Sequence, residues 1–212
     1  MINRKNRLYY PFIPTIVIDD FFESPHTVRE FALNQDFFKG DRGTWPGIRT
    51  EFLEKLGGDV LEILIFKILK NYPQFQRFEK FESTFQLINE NYISGWMHDD
   101  APDLNLAGFV YLSPNPPINT GTTFYADNDV VLDKFLPAFM DDVCRPPEDP
   151  PRVELQKYKQ DQKSSFFPTI TVDNVFNRCV IFDPRTWHCA DNFFGTTKED
   201  TRLTLVFFAR GV

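Results

Sequence analysis

Two hydrophobic rhythms divide the chain. Before residue 85, apolar positions recur at helical spacing after one short extended run. Thr15-Ile16-Val17-Ile18-Asp19 reads as a strand. Ser24 then offers an N-cap and Pro25 a fixed first-turn φ, and Val28, Phe31 and Ala32 follow at the spacing of one helix face. Residues 42–50, with Gly43, Pro46 and Gly47, read as a loop. Residues 59–70 predict a second helix, apolar enough to be packed on most sides.

From residue 85 the texture changes to short runs of β-type residues: 85–93, 106–113, 121–125, 178–183, 187–191 and 202–210. The second is closed by Pro114, Pro116 and Pro117. Along the last run Arg202, Thr204, Val206 and Phe208 share one face, and Leu203, Leu205, Phe207 and Ala209 the other. Both faces are largely apolar, which predicts a strand covered on both sides. Short strands between turn signals point to a sandwich or barrel. Residues 128–177 break the rhythm with charge and with Pro146, Pro147, Pro150 and Pro151. A connection this long has its own structure or acts as a lid. A short helix is expected at 130–139 and an extra strand at 166–175. The predicted class is mainly β with flanking helices, in a single domain over residues 1–212. Residues 1–84 supply a strand and supporting helices, and residues 85–212 supply the core with its insertion.

The 24 phenylalanines suit wide β interiors. A net charge of −7, with no basic block, argues against nucleic acid as a partner. Cys144, Cys179 and Cys189 form no paired spacing, which fits a reducing, cytoplasmic setting. Residues 1–10 lack an apolar signal core. The longest apolar stretch, 60–69, carries Glu62 and Lys67 and falls short of the roughly 20 residues of a membrane span. Nothing in the sequence speaks to oligomeric state.

Candidate chemistry gathers on two of the three histidines. In extended chain His98 and Asp100 point to one side while Asp99 points away. His188 follows a buried-type run, Cys179 to Phe182, and the turn Asp183-Pro184-Arg185. Two imidazoles and one carboxylate suit non-haem Fe(II) with open coordination positions. The plainer alternatives are a solvated acidic turn and a hydrogen-bonded core imidazole. His26, in a first helical turn, is expected to be exposed. Arg202 heads an apolar strand, where a charge is expensive unless partnered. A bound dicarboxylate would supply the partner; the plainer alternatives are an ion pair with a protein carboxylate or simple exposure at the strand end.

The order His98-x-Asp100, His188, Arg202-x-Thr204 resembles the Fe(II)/2-oxoglutarate-dependent dioxygenases, nearest to their prolyl-hydroxylase-like branch. The resemblance covers residues 85–208. It extends to Tyr111 within 106–113, the glycine-led run at 121–125, and residues 177–182 before the distal histidine. It implies a double-stranded β-helix (jelly roll, cupin-like) with Fe(II) held by His98, Asp100 and His188. It implies 2-oxoglutarate as co-substrate, bound by Tyr111, Arg202 and Thr204. The implied reaction is hydroxylation of an unactivated C–H bond in a peptide side chain or small molecule, with succinate and CO2 as co-products. Related halogenases carry a small residue at the place of Asp100, so a carboxylate there favours hydroxylation. The His98–His188 and His188–Arg202 intervals are long for the family. A tyrosine that some relatives place before the first histidine has no clear match among Asn89, Asn91 and Tyr92. Trp45, Arg49, Trp96, Phe124, Tyr125 and Arg185 are candidates for the mouth of the site. Cys189 is expected to face the core rather than the metal. Two other functions stay open. A zinc-type metal hydrolase needs a general base, for which Asp99 is the adjacent candidate, and leaves Arg202 unexplained. A non-catalytic jelly-roll binding module needs no metal.

Overall fold

The computed structural model describes residues 13–39, 45–100, 103–126 and 153–212. The helix expected at 130–139 and Cys144 lie outside the described residues. The chain runs β1 (Ile16–Ile18), α1 (Pro25–Leu33), β2 (Phe38–Lys39), β3 (Ile48–Arg49), α2 (Leu53–Leu56) and α3 (Val60–Asn71). There follow β4 (Phe78–Ile88), a single 3-10 turn at Glu90–Tyr92, β5 (Leu106–Tyr111) and β6 (Thr122–Tyr125). The last elements are α4 (Val153–Ser164), β7 (Pro168–Val172), β8 (Cys179–Phe182), β9 (Trp187–Ala190) and β10 (Arg202–Gly211).

Two antiparallel sheets form: a large one ordered β1-β8-β5-β10-β4-β3-β2, and a small one ordered β7-β6-β9. The period of two along each strand sorts side chains into two cores. Leu203, Leu205, Phe207 and Ala209 of β10 join Leu106 and Val110 of β5 and Phe85 and Leu87 of β4 on one face. Val28 and Ala32 of α1 and Val60, Leu64 and Ile68 of α3 cover that face at helical spacing. Ala107, Phe109 and Tyr111 of β5 and Val180 and Phe182 of β8 turn the other way. They meet Phe124 of β6 and Val172 of β7 between the sheets, with Val206 and Phe208 packed against them. The result is three layers: helices, large sheet, small sheet. Each buried leucine or phenylalanine contributes roughly 1.5–3 kcal/mol. A one-residue slip of β10 would send Arg202 and Thr204 into the helix-side core, so its register is strongly specified.

Several elements differ from expectation. Residues 48–49 pair as a strand rather than continuing the loop, with Ile48 opposite Leu87 and Arg49 opposite Gln86. β4 starts at Phe78, because β10 offers a partner over its whole length even where β4 is charged. It ends at Ile88, where Asn89 turns the chain by accepting a bond from the Asn91 N–H. α3 is covered on one face only, and Phe66 is 68% exposed, because a single sheet packs against it. α4 lies in the insertion and was not foreseen. The strand expected at 166–175 is β7.

No helix among the described residues is long and apolar enough to cross a membrane. Cys179 and Cys189 are free and buried, and His26 is exposed against Phe176.

Candidate functional site

Small-sheet geometry brings the two histidines together. His98 and His188 pair as an isolated antiparallel bridge, exchanging backbone bonds of 3.1 and 2.9 Å. Directly opposed residues in such a pair share a face. Both imidazoles therefore point between the sheets, with ring centroids 4.3 Å apart. The neighbours Met97, Trp187 and Cys189 alternate to the outer face. Cys189 accordingly points away from the site, and burial pushes its thiol up to about 11.

Each imidazole is held by the same local device. His98 Nδ1 lies 3.0 Å from the Trp96 carbonyl, and His188 Nδ1 lies 2.9 Å from the Thr186 carbonyl. A carbonyl only accepts, so Nδ1 carries the proton and Nε2 keeps its lone pair. Asp100 is anchored by its backbone N–H to the Pro184 carbonyl at 2.8 Å. That turn is itself locked: Asp183, fully buried, accepts bonds from Arg185 Nε at 2.7 Å and from the Ile13 N–H at 3.2 Å.

Donor atoms of His98, Asp100 and His188 all lie within 4.8 Å of one another. Asp100 Oδ2 sits 3.8 Å from His188 Nε2 and is buried with no hydrogen-bond partner. Burial pushes the Asp100 carboxyl up to about 6, and burial together with the charge of His98 holds His188 well below its ordinary range. A neutral imidazole and an orphaned buried carboxylate form a donor set that a divalent cation satisfies. The rings of Phe182 and Phe124, 4.7 and 6.0 Å from His188, wall the site.

On the facing sheet Arg202 is 5% exposed. Its guanidinium lies 5.4 Å from the Tyr111 ring centre and 5.6 Å from that of Phe193. Arg202 Nε has no hydrogen-bond partner, and no ion pair engages this arginine among the described residues. Desolvation lowers its pKa, opposed by Tyr111 and more weakly by Asp191. The Asp191 carboxylate is committed elsewhere, accepting from Thr123 Oγ1 at 2.7 Å. Thr204 stands opposite Tyr111 in the β10–β5 register. Its hydroxyl is also buried and unpartnered. The Tyr111 hydroxyl lies 2.9 Å from Thr122 Oγ1. Orphaned polar atoms on Arg202 and Thr204 thus lie buried on one face of β10, where an unmade hydrogen bond costs about 1–3 kcal/mol per group.

Of the residues expected near the mouth, Trp96 stacks on His98 at 5.1 Å and Phe124 packs on His188. Tyr125 belongs to the outer cluster, and Arg185 braces Asp183. Tyr92 packs with Ile88 and Phe193 in the cluster beside Arg202. Sequence reasoning missed the clamp supplied by α4. Gln162 pairs with both backbone groups of Met97, accepting at 3.0 Å and donating at 3.2 Å, as a neighbouring strand would. Lys159 donates to the Tyr92 and Ser94 carbonyls, and Lys163 to that of Asp191 at 3.2 Å. α4 therefore braces the chain on both sides of the paired histidines. The sequence signal is Lys159, Gln162 and Lys163 at helical spacing, within a charged segment expected to have its own structure or to act as a lid.

The architecture is shared with several prolyl hydroxylases and other 2-oxoglutarate-dependent proteins. One is a prolyl hydroxylase from Trichoplax adhaerens, in complex with a hypoxia inducible factor oxygen degradation domain peptide. It aligns with TM-score 0.58 and 11% identity over 93% of this chain and 83% of that one. HygX from Streptomyces hygroscopicus, solved with nickel and 2-oxoglutarate bound, gives TM-score 0.59 and 12% identity, over 92% of this chain and 82% of that chain. A Pseudomonas putida prolyl-4-hydroxylase gives 0.54 and 10%, over 93% and 92%. Identities this low establish a common fold. By sequence, residues 7–209 match the model of a family of unknown function, DUF6445, and the chain belongs to that family. A search of curated proteins found no match.

Proposed function

We propose that this chain is an Fe(II)- and 2-oxoglutarate-dependent oxygenase built on a double-stranded β-helix. The observation that carries this reading is one juxtaposition. Two imidazoles and a carboxylate converge on the inner face of the small sheet, and a buried arginine with no ion-pair partner among the described residues sits on the facing strand. The jelly-roll reading is supported by how the chain alternates between layers. β4, β5, β8 and β10 lie in the large sheet, and the His98 segment, β6, β7 and β9 lie in or beside the small one. On this reading residues 1–212 are one domain. Residues 1–84 support the large sheet, and the insertion at 128–177 contributes α4 as a brace.

His98 and His188 would hold the metal through Nε2, and Asp100 through its orphaned oxygen. The fixed Nδ1 protons keep both rings in the ligating tautomer. Arg202 and Thr204, with Tyr111, would grip the distal carboxylate of 2-oxoglutarate. The guanidinium and the hydroxyls donate, and the carboxylate accepts. Phe109, Phe124 and Phe182 exclude water from the space between. When bound, iron with 2-oxoglutarate and dioxygen supplies oxidising chemistry that the protein only positions, hydroxylating a C–H bond with succinate and CO2 as co-products. The prime substrate is a small molecule or a peptide side chain. A zinc hydrolase leaves Arg202 without a role, and a metal-free binding module leaves Asp100 buried without one.

The test is anaerobic addition of Fe(II) and 2-oxoglutarate to the full chain. A visible charge-transfer band is expected only with both present, and succinate on admitting air. No band together with no succinate would reject the proposal.

A further inference from the structure

α3 carries apolar residues on two sides, and the large sheet covers one of them. Val60, Leu64 and Ile68 turn the helix onto the core, with Leu61 and Ile63 packed at its margin. At about 3.6 residues per turn the opposite side presents Glu62, Ile65, Phe66, Leu69 and Lys70. Phe66 is 68% exposed, Glu62 and Lys70 are exposed, and Ile65 and Leu69 are half-buried. Offsets of three, four, seven and eight residues mark a helix face that packs on another element. A surface helix ordinarily turns one such face inward and a polar one outward; α3 has a second apolar stripe pointing out.

The charges on this outer face are symmetric about its centre. Glu62 precedes Phe66 by four residues and Lys70 follows it by four, so each lies about 6 Å from Phe66 along the helix axis. Some 12 Å separates the two charges, roughly twice the reach of a pair within one helix. Neither forms an ion pair among the described residues. Rows of side chains four apart form the ridges by which helices pack on one another. A two-fold axis passing through Phe66, perpendicular to the helix, lays two copies of this row side by side and antiparallel. Each Glu62 then meets Lys70 of the other copy, and the two Phe66 rings meet at the axis. A parallel pair would instead set glutamate against glutamate and lysine against lysine. Between α3 and α1 runs a groove of about 880 Å³, lined by Phe22, Val28, Phe31, Ile63 and Phe66, which extends the apolar surface to one side of the axis.

We infer that the outer face of α3 is a self-recognition surface, and that its partner is a second copy of this chain docked antiparallel about Phe66. One patch supplies both halves of the contact, as a two-fold interface requires. An anionic lipid surface is the poorer fit, because Asp59 and Glu62 stand at one end of the face and the chain carries a net charge of −7. The helices cover the side of the large sheet opposite to the paired histidines, and the inference is independent of the oxygenase reading. α3 is only about 18 Å long, a small footprint for a specific interface, so the dimer should be reversible and of micromolar strength.

Sedimentation velocity of the full chain from about 1 to 200 µM should therefore show a monomer–dimer equilibrium. The symmetry applies every substitution twice, so Phe66→Ala, Glu62→Lys and Lys70→Glu should each weaken the dimer at least about tenfold. All three positions are exposed, and the melting temperature should stay at the parent value. Glu62→Lys leaves the row basic at both ends, and Lys70→Glu leaves it acidic at both ends. An equimolar mixture of these two variants should regain a dimer of parental strength containing one copy of each, and the double variant Glu62→Lys/Lys70→Glu should dimerise by itself. A parent that stays monomeric at the top concentration, a dimer that survives Phe66→Ala, or a mixture no tighter than its separate components would each overturn the inference. Phe66-dependent binding of the monomer to phosphatidylcholine–phosphatidylglycerol vesicles would assign the face to a lipid surface and overturn it too.

Discussion

Replacing Arg202 by methionine should move stability and co-substrate affinity in opposite directions. Arg202 is 5% exposed, its Nε has no hydrogen-bond partner, and no ion pair compensates its charge among the described residues. Replacing a buried charged group with an apolar one of similar size is neutral or stabilising by roughly 1–4 kcal/mol. Against this stands loss of the contacts with the Tyr111 and Phe193 rings, about 0.5–2 kcal/mol. Set against each other, the two ranges centre on a metal-free variant about 1 kcal/mol more stable than the parent. At roughly 2–4 °C per kcal/mol for a domain of this size, the melting temperature stays level or rises by several degrees. Binding of 2-oxoglutarate should fall steeply. A charge-assisted hydrogen bond is worth about 1.5–3 kcal/mol. A two-point grip lost at once therefore predicts a drop on the order of 100- to 10,000-fold. Thermal melts of the metal-free protein, with and without 2-oxoglutarate, and calorimetric titration of the zinc-loaded protein check both arms. With saturating 2-oxoglutarate the order of melting temperatures should invert, because ligand binding stabilises only the parent. A variant that melts many degrees lower yet binds 2-oxoglutarate normally would show Arg202 to be a structural residue and would refute the reasoning.

Three further outcomes are expected. The raised carboxyl of Asp100, about 6 against an ordinary 3.8, means the folded metal-free protein holds a proton that the unfolded chain releases. The stability tied to that proton is present below about pH 4 and is lost as pH rises to about 6. Asp100→Asn should therefore stabilise the metal-free protein at pH 7 and not at pH 4, while divalent-metal affinity in the parent should fall below pH 6; denaturant melts and metal titrations across pH check both. Gln162→Leu strands both backbone groups of Met97 beside His98. Zinc affinity measured by competition should drop about 10- to 100-fold, with Gln162→Glu, which retains the acceptor, lying between. Gly47→Ala faces both a positive φ and the Leu87 carbonyl. It should destabilise by ~1–3 kcal/mol in urea melts and shift the emission of Trp45.

How much was legible beforehand depended on how local each signal was. Alternation along 202–210 was readable because a strand buried on both faces writes its period of two directly into the chain, and β10 has that burial. Ser24-Pro25 marked the start of α1, and His98-x-Asp100 set two side chains on one side, for reasons confined to a few bonds. α3 reads as packed on most sides because composition reports apolar content but not how many layers exist to cover it; one sheet packs there and Phe66 stays exposed. Residues 48–49 read as loop because two residues carry no period, and they become a strand only where β4 offers an edge.

The sequence by itself determined which residues could do chemistry: two histidines, one carboxylate in an i, i+2 step, and an arginine whose charge had no local partner. Tertiary structure decided that His98 meets His188 across 90 positions through a pair of backbone bonds, and that Asp191 is spent on Thr123 rather than on Arg202. The physical reason is range. Side-chain direction follows from backbone geometry within a residue or two, whereas partnership between distant strands follows from register, set by the whole hydrophobic pattern of both sheets at once.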